Sequence, residues 1–180
     1  MRKTVAGLFI SLDGVVERPD QWHFPYFNDE MGAAVGAQAA EADTLLFGRV
    51  TFEEFAGYWP NHQGEDAELA DYLNNTPKFV VSQSLKNPEW QNSTVIGGDV
   101  MAEIAKLKEQ PGKNISITGS ATLVCTLLAN DLLDELRLLV HPIVVGTGAR
   151  LFGEGVQKEL KLVESTTFST GVLNLVYQPA

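Results

Sequence analysis

Apolar and β-branched residues in this chain come in short runs. Between most of the runs, apolar residues recur every three or four positions. The first pattern predicts strands and the second helices. Residues 4–10 (TVAGLFI) form the first strand pattern, ended by Ser11-Leu12-Asp13-Gly14. Residues 17–28 read as an irregular loop carrying Trp22, Phe24, Tyr26 and Phe27. Asn28 or Asp29 then caps a helix in which Met31, Val35, Gln38 or Ala39, and Ala42 recur at helical spacing. A second strand over residues 44–47 delivers Gly48, Arg49, Val50 and Thr51. Thr51 and Glu54 have capping-box spacing, which opens a short helix with Phe52 and Phe55 inward. Residues 66–74 make another helix, and residues 78–81 a third strand ending in Ser82, Gln83 and Ser84. Residues 94–96 are a fourth strand, closed by Gly97 and Gly98. Asp99 caps the helix that follows, and Pro111-Gly112 stops it.

Residues 115–152 carry the clearest succession. A strand over 115–117 meets the turn Thr118-Gly119-Ser120. A helix with Leu123, Val124, Leu127 and Leu128 on one face comes next, then a strand over 136–140 and a loop punctuated by Gly146 and Gly148. This is a βαβ unit with an expected right-handed crossover. After a second glycine loop, residues 160–168 alternate loosely, 169–171 turn, and 172–177 alternate with Leu173, Leu175 and Tyr177 on one face. That end reads as an antiparallel hairpin at a sheet edge, with 172–177 as the edge that needs covering. Strand and helix otherwise alternate, so the expected fold is α/β with a mostly parallel sheet. With no linker, repeat or low-complexity tract, one domain over residues 1–180 is expected.

Composition narrows the partners. Hydrophobic content of 44% and charged content of 20% fit a soluble globular protein. A net charge of −10 argues against nucleic acid and against anionic membrane surfaces. The single Cys125 excludes an internal disulfide and reads as a buried structural thiol in a reducing compartment, the cytoplasm. Met1-Arg2-Lys3 before an apolar run faintly resembles a signal peptide, but Asp13 ends the run and no small-residue cleavage site follows. No run approaches transmembrane length.

An acidic chain that binds phosphate must use local backbone N–H groups and a few placed cations. Four strand ends carry Gly, Ser, Thr or Arg, at 48–51, 82–84, 97–98 and 119–122. A parallel sheet gathers them on one edge, where an extended phosphate-bearing ligand would fit. Gly119 lets a ligand come close and Ser120 can cap the helix, although an ordinary tight turn uses the same residues. Arg49 suits bidentate phosphate recognition, or else pairs with Glu53 on the surface. Asp13 lies at a strand end, a ligand position or a simple turn residue. The aromatic loop covers either a ligand ring or the core. There is no GxGxxG, no phosphate-loop Lys motif and no Tyr followed four residues later by Lys. His23, His62 and His141 lack metal spacing, so no metal site is expected, and His141 reads as structural.

The segments SLDG (11–14), LFGRVTFE (46–53), KFVVSQSL (78–85), ITGSATLV (117–124) and LLDELRLLVHPIVVGTGARLF (132–152) together resemble the dihydrofolate reductase superfamily. They are most similar to the reductase domain of the bifunctional riboflavin-biosynthesis deaminase/reductase and its single-domain bacterial relatives. The resemblance implies a sheet of about eight strands, NADPH (with NADH as the alternative), a homodimer, and a site at the strand C-termini. It places Gly48, Arg49, Val50 and Thr51 at the cofactor phosphates, Ser82, Gln83 and Ser84 by the adenosine ribose, and Gly119, Ser120, Ala121, Thr122 and Leu123 around the pyrophosphate. Gly97 belongs to the same cofactor edge. Asp13 would face the substrate or nicotinamide and deliver a proton, and Trp22, Phe27 and Trp59 are substrate-side positions. Where relatives often have Ser-Arg this chain has Ser82-Gln83, so a preference for NADPH rests on Arg49. Loss of Arg49 is then expected to weaken NADPH more than NADH. The implied reaction is that of 5-amino-6-(5-phosphoribosylamino)uracil reductase. The alternatives are dihydrofolate or pteridine reduction, for which only Asp29 and Glu30 loosely match the expected helix acid, and dinucleotide binding without catalysis.

Overall fold

The computed structural model describes residues 1–180. Its strands are β1 (Thr4–Ser11), β2 (Ala42–Gly48), β3 (Lys78–Val81), β4 (Ser93–Ile96), β5 (Asn114–Thr118), β6 (Glu135–His141), β7 (Leu160–Thr167) and β8 (Leu173–Pro179). The helices are α1 (Asp29–Ala40), α2 (Arg49–Tyr58), α3 (Ala67–Asn75), α4 (Val100–Glu109) and α5 (Ala121–Ala129). All eight strands join one sheet in the order β4-β3-β2-β5-β1-β6-β8-β7. The six from β4 to β6 are parallel, β8 runs antiparallel to β6, and β7 antiparallel to β8. This is the α/β, dihydrofolate reductase-like fold. No helix is long and apolar enough to cross a membrane.

Period-two alternation on β1 sorts the two faces. Ala6, Leu8 and Ile10 pack with Ile104 and Leu107 of α4 and with Leu123, Val124, Leu127 and Leu128 of α5. Burying each such large side chain contributes roughly 1.5–3 kcal/mol, which clamps α5 onto the sheet. The opposite face holds Leu45, Phe47 and Val80 against Phe52 of α2 and Leu73 of α3. It also holds Leu139 against Met31 of α1, Phe168 and Val172. Helices therefore cover both faces, and all six parallel strands end along one edge.

Two expectations change. Ala42 opens β2 rather than closing α1, because Glu41 is the helix C-cap. The expected βαβ unit is β5-α5-β6, its two strands parallel with β1 between them. The sheet edge is β7, not residues 172–177: β8 is paired on both sides, and β7 is exposed along nearly its whole length. Alternation identifies strands but does not say which of two hairpin strands turns inward.

Candidate functional site

Because β2 and β5 are neighbours, the helices that follow them start side by side. Gly48 occupies the N-cap of α2, and Ser120 the N-cap of α5. Neither helix is capped by its own N-cap side chain. Instead the Gly48 N–H donates to Ser120 Oγ at 2.9 Å, and the Ser120 N–H donates to Thr51 Oγ1 at 3.1 Å. Two reciprocal bonds thus latch one helix start to the other.

The latch corrects two expectations. Ser120 does not cap α5 with its side chain: a self-capping residue needs an extended backbone, and Ser120 is left-handed at φ 56°, ψ 56°. Thr51 is not a helix-opening cap, because α2 already begins at Arg49; its hydroxyl serves α5 instead. Gly119 is required between them. Its φ is +65°, and a Cβ there would lie 3.0 Å from Thr51 Cγ2 and 3.2 Å from Thr51 Oγ1. The latch uses the N-cap N–H groups. The first-turn N–H groups of Arg49, Val50, Thr51, Ala121, Thr122 and Leu123 are those an α-helix leaves without internal partners. Two positive dipole ends accompany them.

The neighbouring strand ends are less uniform. Ser82 is buried, and its Oγ accepts from the N–H groups of Ser84 (3.2 Å) and Leu85 (3.0 Å), so it builds the turn. Gln83, Ser84 and Gly97 stay exposed beside it. A Cβ on Gly97 would meet Ser82 O at 3.2 Å, so the ends of β3 and β4 are in close contact. Arg49 takes the alternative raised above: its Nη1 donates to Glu53 Oε2 at 2.7 Å, one turn along α2.

At the end of β1, Asp13 is fully engaged. Its carboxylate accepts from Ser11 Oγ (2.6 Å), Val145 N (3.0 Å) and Gly146 N (2.9 Å). The Ser11 hydroxyl and these two amides hold its pKa down at about 2. Glu17 repeats the device, accepting from Ala149 N at 2.7 Å, and Arg150 Nε donates to Asp13 O at 3.0 Å. Residues 143–151, including the Gly146–Thr147–Gly148 turn, are thereby stitched to residues 12–17 at the strand-end edge. An ionised carboxylate with three donors is poorly suited to proton donation. Its stabilising contribution is fully present above the ordinary carboxylate pKa of 3.8 and is lost as the pH falls through about 2. Hydrogen exchange should show the Val145 and Gly146 amides losing protection relative to the core between those values. Asp13→Asn should remove that acid step; an unchanged acid profile in the variant would contradict the assignment.

The aromatic loop divides between core and surface. Trp22 is only 7% exposed, its Nε1 donates to Glu17 O at 3.2 Å, and its ring stands edge-on to His141 with centroids 5.2 Å apart. It packs into the core beside His141. His23 stacks on Phe9 with centroids 4.6 Å apart. His141 is fully buried, and its Nδ1 hydrogen-bonds Leu139 O at 2.8 Å. Burial pushes the pKa values of both imidazoles down. Phe24 and Phe27 remain exposed, as do Leu12, Val50 and Val144 on the segments that leave β1, β2 and β6.

Trp59 lies elsewhere. Its carbonyl accepts from Asn74 Nδ2, and Asn74 O in turn accepts from Gln91 and Asn92 just before β4 begins. It therefore sits at the edge where strands start. A concavity of about 850 Å³ between α2 and residues 85–91 is lined by Glu53 and Leu85. A second, about 400 Å³ along β4 and α4, is lined by Gly97 and Gly98. Glu17 and the Ser120–Thr51 latch are not legible in the sequence; the one local signal is a second acid, Glu17, four residues after Asp13.

One family model, the RibD C-terminal domain, matches residues 2–174. The chain belongs to that family. A RibD-family chain of this length resembles the uncharacterized protein YyaP of Bacillus subtilis (strain 168), with 33% identity over 180 residues, covering 98% of this chain and 94% of that one. Among solved structures, it superposes on a Shewanella sp. PV-4 protein assigned by name to riboflavin biosynthesis, with a TM-score of 0.80, 20% identity and 99% of each chain covered. It also matches the Thermotoga maritima diaminohydroxyphosphoribosylaminopyrimidine deaminase/5-amino-6-(5-phosphoribosylamino)uracil reductase. That match has a TM-score of 0.69 and 16% identity over 99% of this chain and 57% of the other. At these identities the two structures establish the shared fold, while the family rests on the domain match and YyaP.

Proposed function

We propose that this chain is a nicotinamide-dinucleotide-dependent reductase of a small heterocyclic substrate, formed by one domain over residues 1–180. By kinship with RibD reductase domains, the substrate class is that of 5-amino-6-(5-phosphoribosylamino)uracil. The observation that carries the reading is the pair of latched helix starts, in a chain whose family is a reductase domain.

The donor set fits a pyrophosphate. Two helix N-termini offer first-turn N–H groups after adjacent strands, and Gly119 lets Thr51 pack against the turn that joins them. A bound reduced nicotinamide would supply hydride to an electrophilic carbon of the substrate. Arg49, Val50, Thr51, Ala121, Thr122 and Leu123 hold phosphate through their backbone, with Gly48 and Ser120 fixing the two helix starts. Gln83, Ser84 and Gly97 line the adenosine side. Phe24 and Phe27 shield the reacting end from water. Asp13 positions residues 143–151 rather than delivering a proton, because three donors keep it ionised. Folate-type reduction is disfavoured by Glu30, whose Oε1 is committed to Ser169 N (2.9 Å) and Oγ (2.6 Å).

Purified protein mixed with NADPH or NADH and the phosphoribosylamino-pyrimidine should consume the reduced nicotinamide only when substrate is present. Dinucleotide binding without consumption would favour a second reading, a binding protein without turnover, which the ionised state of Asp13 supports.

A second copy of the chain is the proposed protein partner. Exposed Leu162 and Leu173 lie on β7 and β8, and antiparallel pairing of β7 with its copy can set Lys161 opposite Glu164. A monomer in sedimentation at micromolar concentration would rule this out.

A further inference from the structure

The adenosine side of the site has a charge arrangement that an NADPH enzyme would not be expected to choose. Arg49 is the first residue of α2 and the one cation among the strand-end residues assigned above to the dinucleotide. Its guanidinium is held by Glu53, one turn along the same helix face, at 2.7 Å. Glu53 also lines the 850 Å³ groove between α2 and residues 85–91. The other charged residues lining that groove are Asp71 and Glu89; no Lys or Arg lines it. Next to it, Gln83 and Ser84 are exposed and uncharged. The nearby cation in sequence is Lys86, which is exposed on the segment after them and does not line the groove. The groove beside Arg49's partner is therefore lined by three carboxylates and no cation, and Glu53 is the one that touches Arg49.

We propose that Glu53 is a specificity-determining residue that sets the cofactor preference by withholding Arg49 from a 2′-phosphate, so that NADH binds at least as well as NADPH. The inference rests on the dinucleotide reading of the site. An exposed helical ion pair is weak by itself, and Arg49 can leave it at little cost. The carboxylate stays behind, however, one helical turn from wherever Arg49 holds the phosphate. A 2′-phosphate carries up to two negative charges and would meet Glu53 at close range. The ribose 2′-hydroxyl of NADH carries none and can donate a hydrogen bond to a carboxylate instead. The same residue thus opposes one dinucleotide and favours the other.

Binding can be followed by quenching of the three tryptophans, with no substrate present. Wild-type protein should bind NADH as tightly as NADPH or more tightly. Glu53→Gln should tighten NADPH by roughly fivefold relative to NADH, since a carboxylate near a phosphate dianion is removed and Arg49 is released. Adding Arg49→Ala to Glu53→Gln should erase that gain, while Arg49→Ala alone should barely change the NADPH-to-NADH ratio. If Glu53→Gln leaves the ratio unchanged, or if wild type already favours NADPH tenfold, Glu53 does not set the preference. If neither dinucleotide binds to wild type, the dinucleotide reading falls and this inference with it.

Discussion

Gly119→Val is expected to abolish dinucleotide binding and to destabilise the fold by about 2–4 kcal/mol. Two costs combine. The backbone at this position has φ +65°, a region where a β-branched residue is strained. The added Cβ also arrives 3.0 Å from Thr51 Cγ2 and 3.2 Å from its hydroxyl. Thr51 must then move, and its bond to the Ser120 N–H breaks. The two helix starts lose their mutual registration, and a part-buried donor loses its partner. For a chain of this size the melting temperature should fall by about 5–12 °C. Gly119→Ala should show the same direction with a smaller drop. A valine variant that melts like wild type and still binds dinucleotide would show that the turn is not under this constraint.

The second large effect lies at the opposite edge. Lys78, the first residue of β3, is 1% exposed. Its ammonium donates to Leu73 O (2.6 Å), Asn74 O (3.1 Å) and Thr76 O (2.8 Å), and sits 4.5 Å from the centre of the Trp90 ring. Leu73 and Asn74 are in the last turn of α3, where helical carbonyls lack internal partners. Lys78 is thus an internal cap tying α3 to β3. Lys78→Met keeps the apolar stem but strips three carbonyls of their donor, for an expected loss of about 3 kcal/mol. Burial lowers the Lys78 pKa from its ordinary 10.5 to about 8, so it remains charged at neutral pH. Between those values the unfolded chain holds more protons, so this group makes stability rise with pH there. Chemical denaturation across that range should show the rise in wild type and lose it in Lys78→Met. A variant as stable as wild type would refute the capping role.

What could be read in advance follows from how local each interaction is. The cores of all eight strands and five helices lie in periodic stretches, and Asn28 and Asp99 cap as their positions predict, accepting from Met31 N and Ala102 N. The latch was invisible because Thr51 and Ser120 are 69 residues apart, and each hydroxyl mimics an ordinary cap in its own neighbourhood. Asp13 was singled out as a strand-end acid, but its partners lie 132 and 133 residues away, and they turn a prospective donor into an anchor. Trp22 and Trp59 look alike as aromatic residues near turns. One closes the core against His141, and the other rides α2 to the far edge because a ten-residue helix spans about 15 Å. Arg49 and Glu53 have the spacing of a helical ion pair, and the pair forms.

The central claim is that two latched helix starts hold the phosphates of a nicotinamide dinucleotide. Amide chemical-shift mapping of the isotope-labelled protein during titration with NADP⁺ and NAD⁺ tests it most directly. The largest shifts should fall on the first-turn amides of Arg49, Val50, Thr51, Ala121, Thr122 and Leu123. Binding whose shifts cluster elsewhere and leave these six amides unmoved, or no shifts at millimolar dinucleotide, would contradict it.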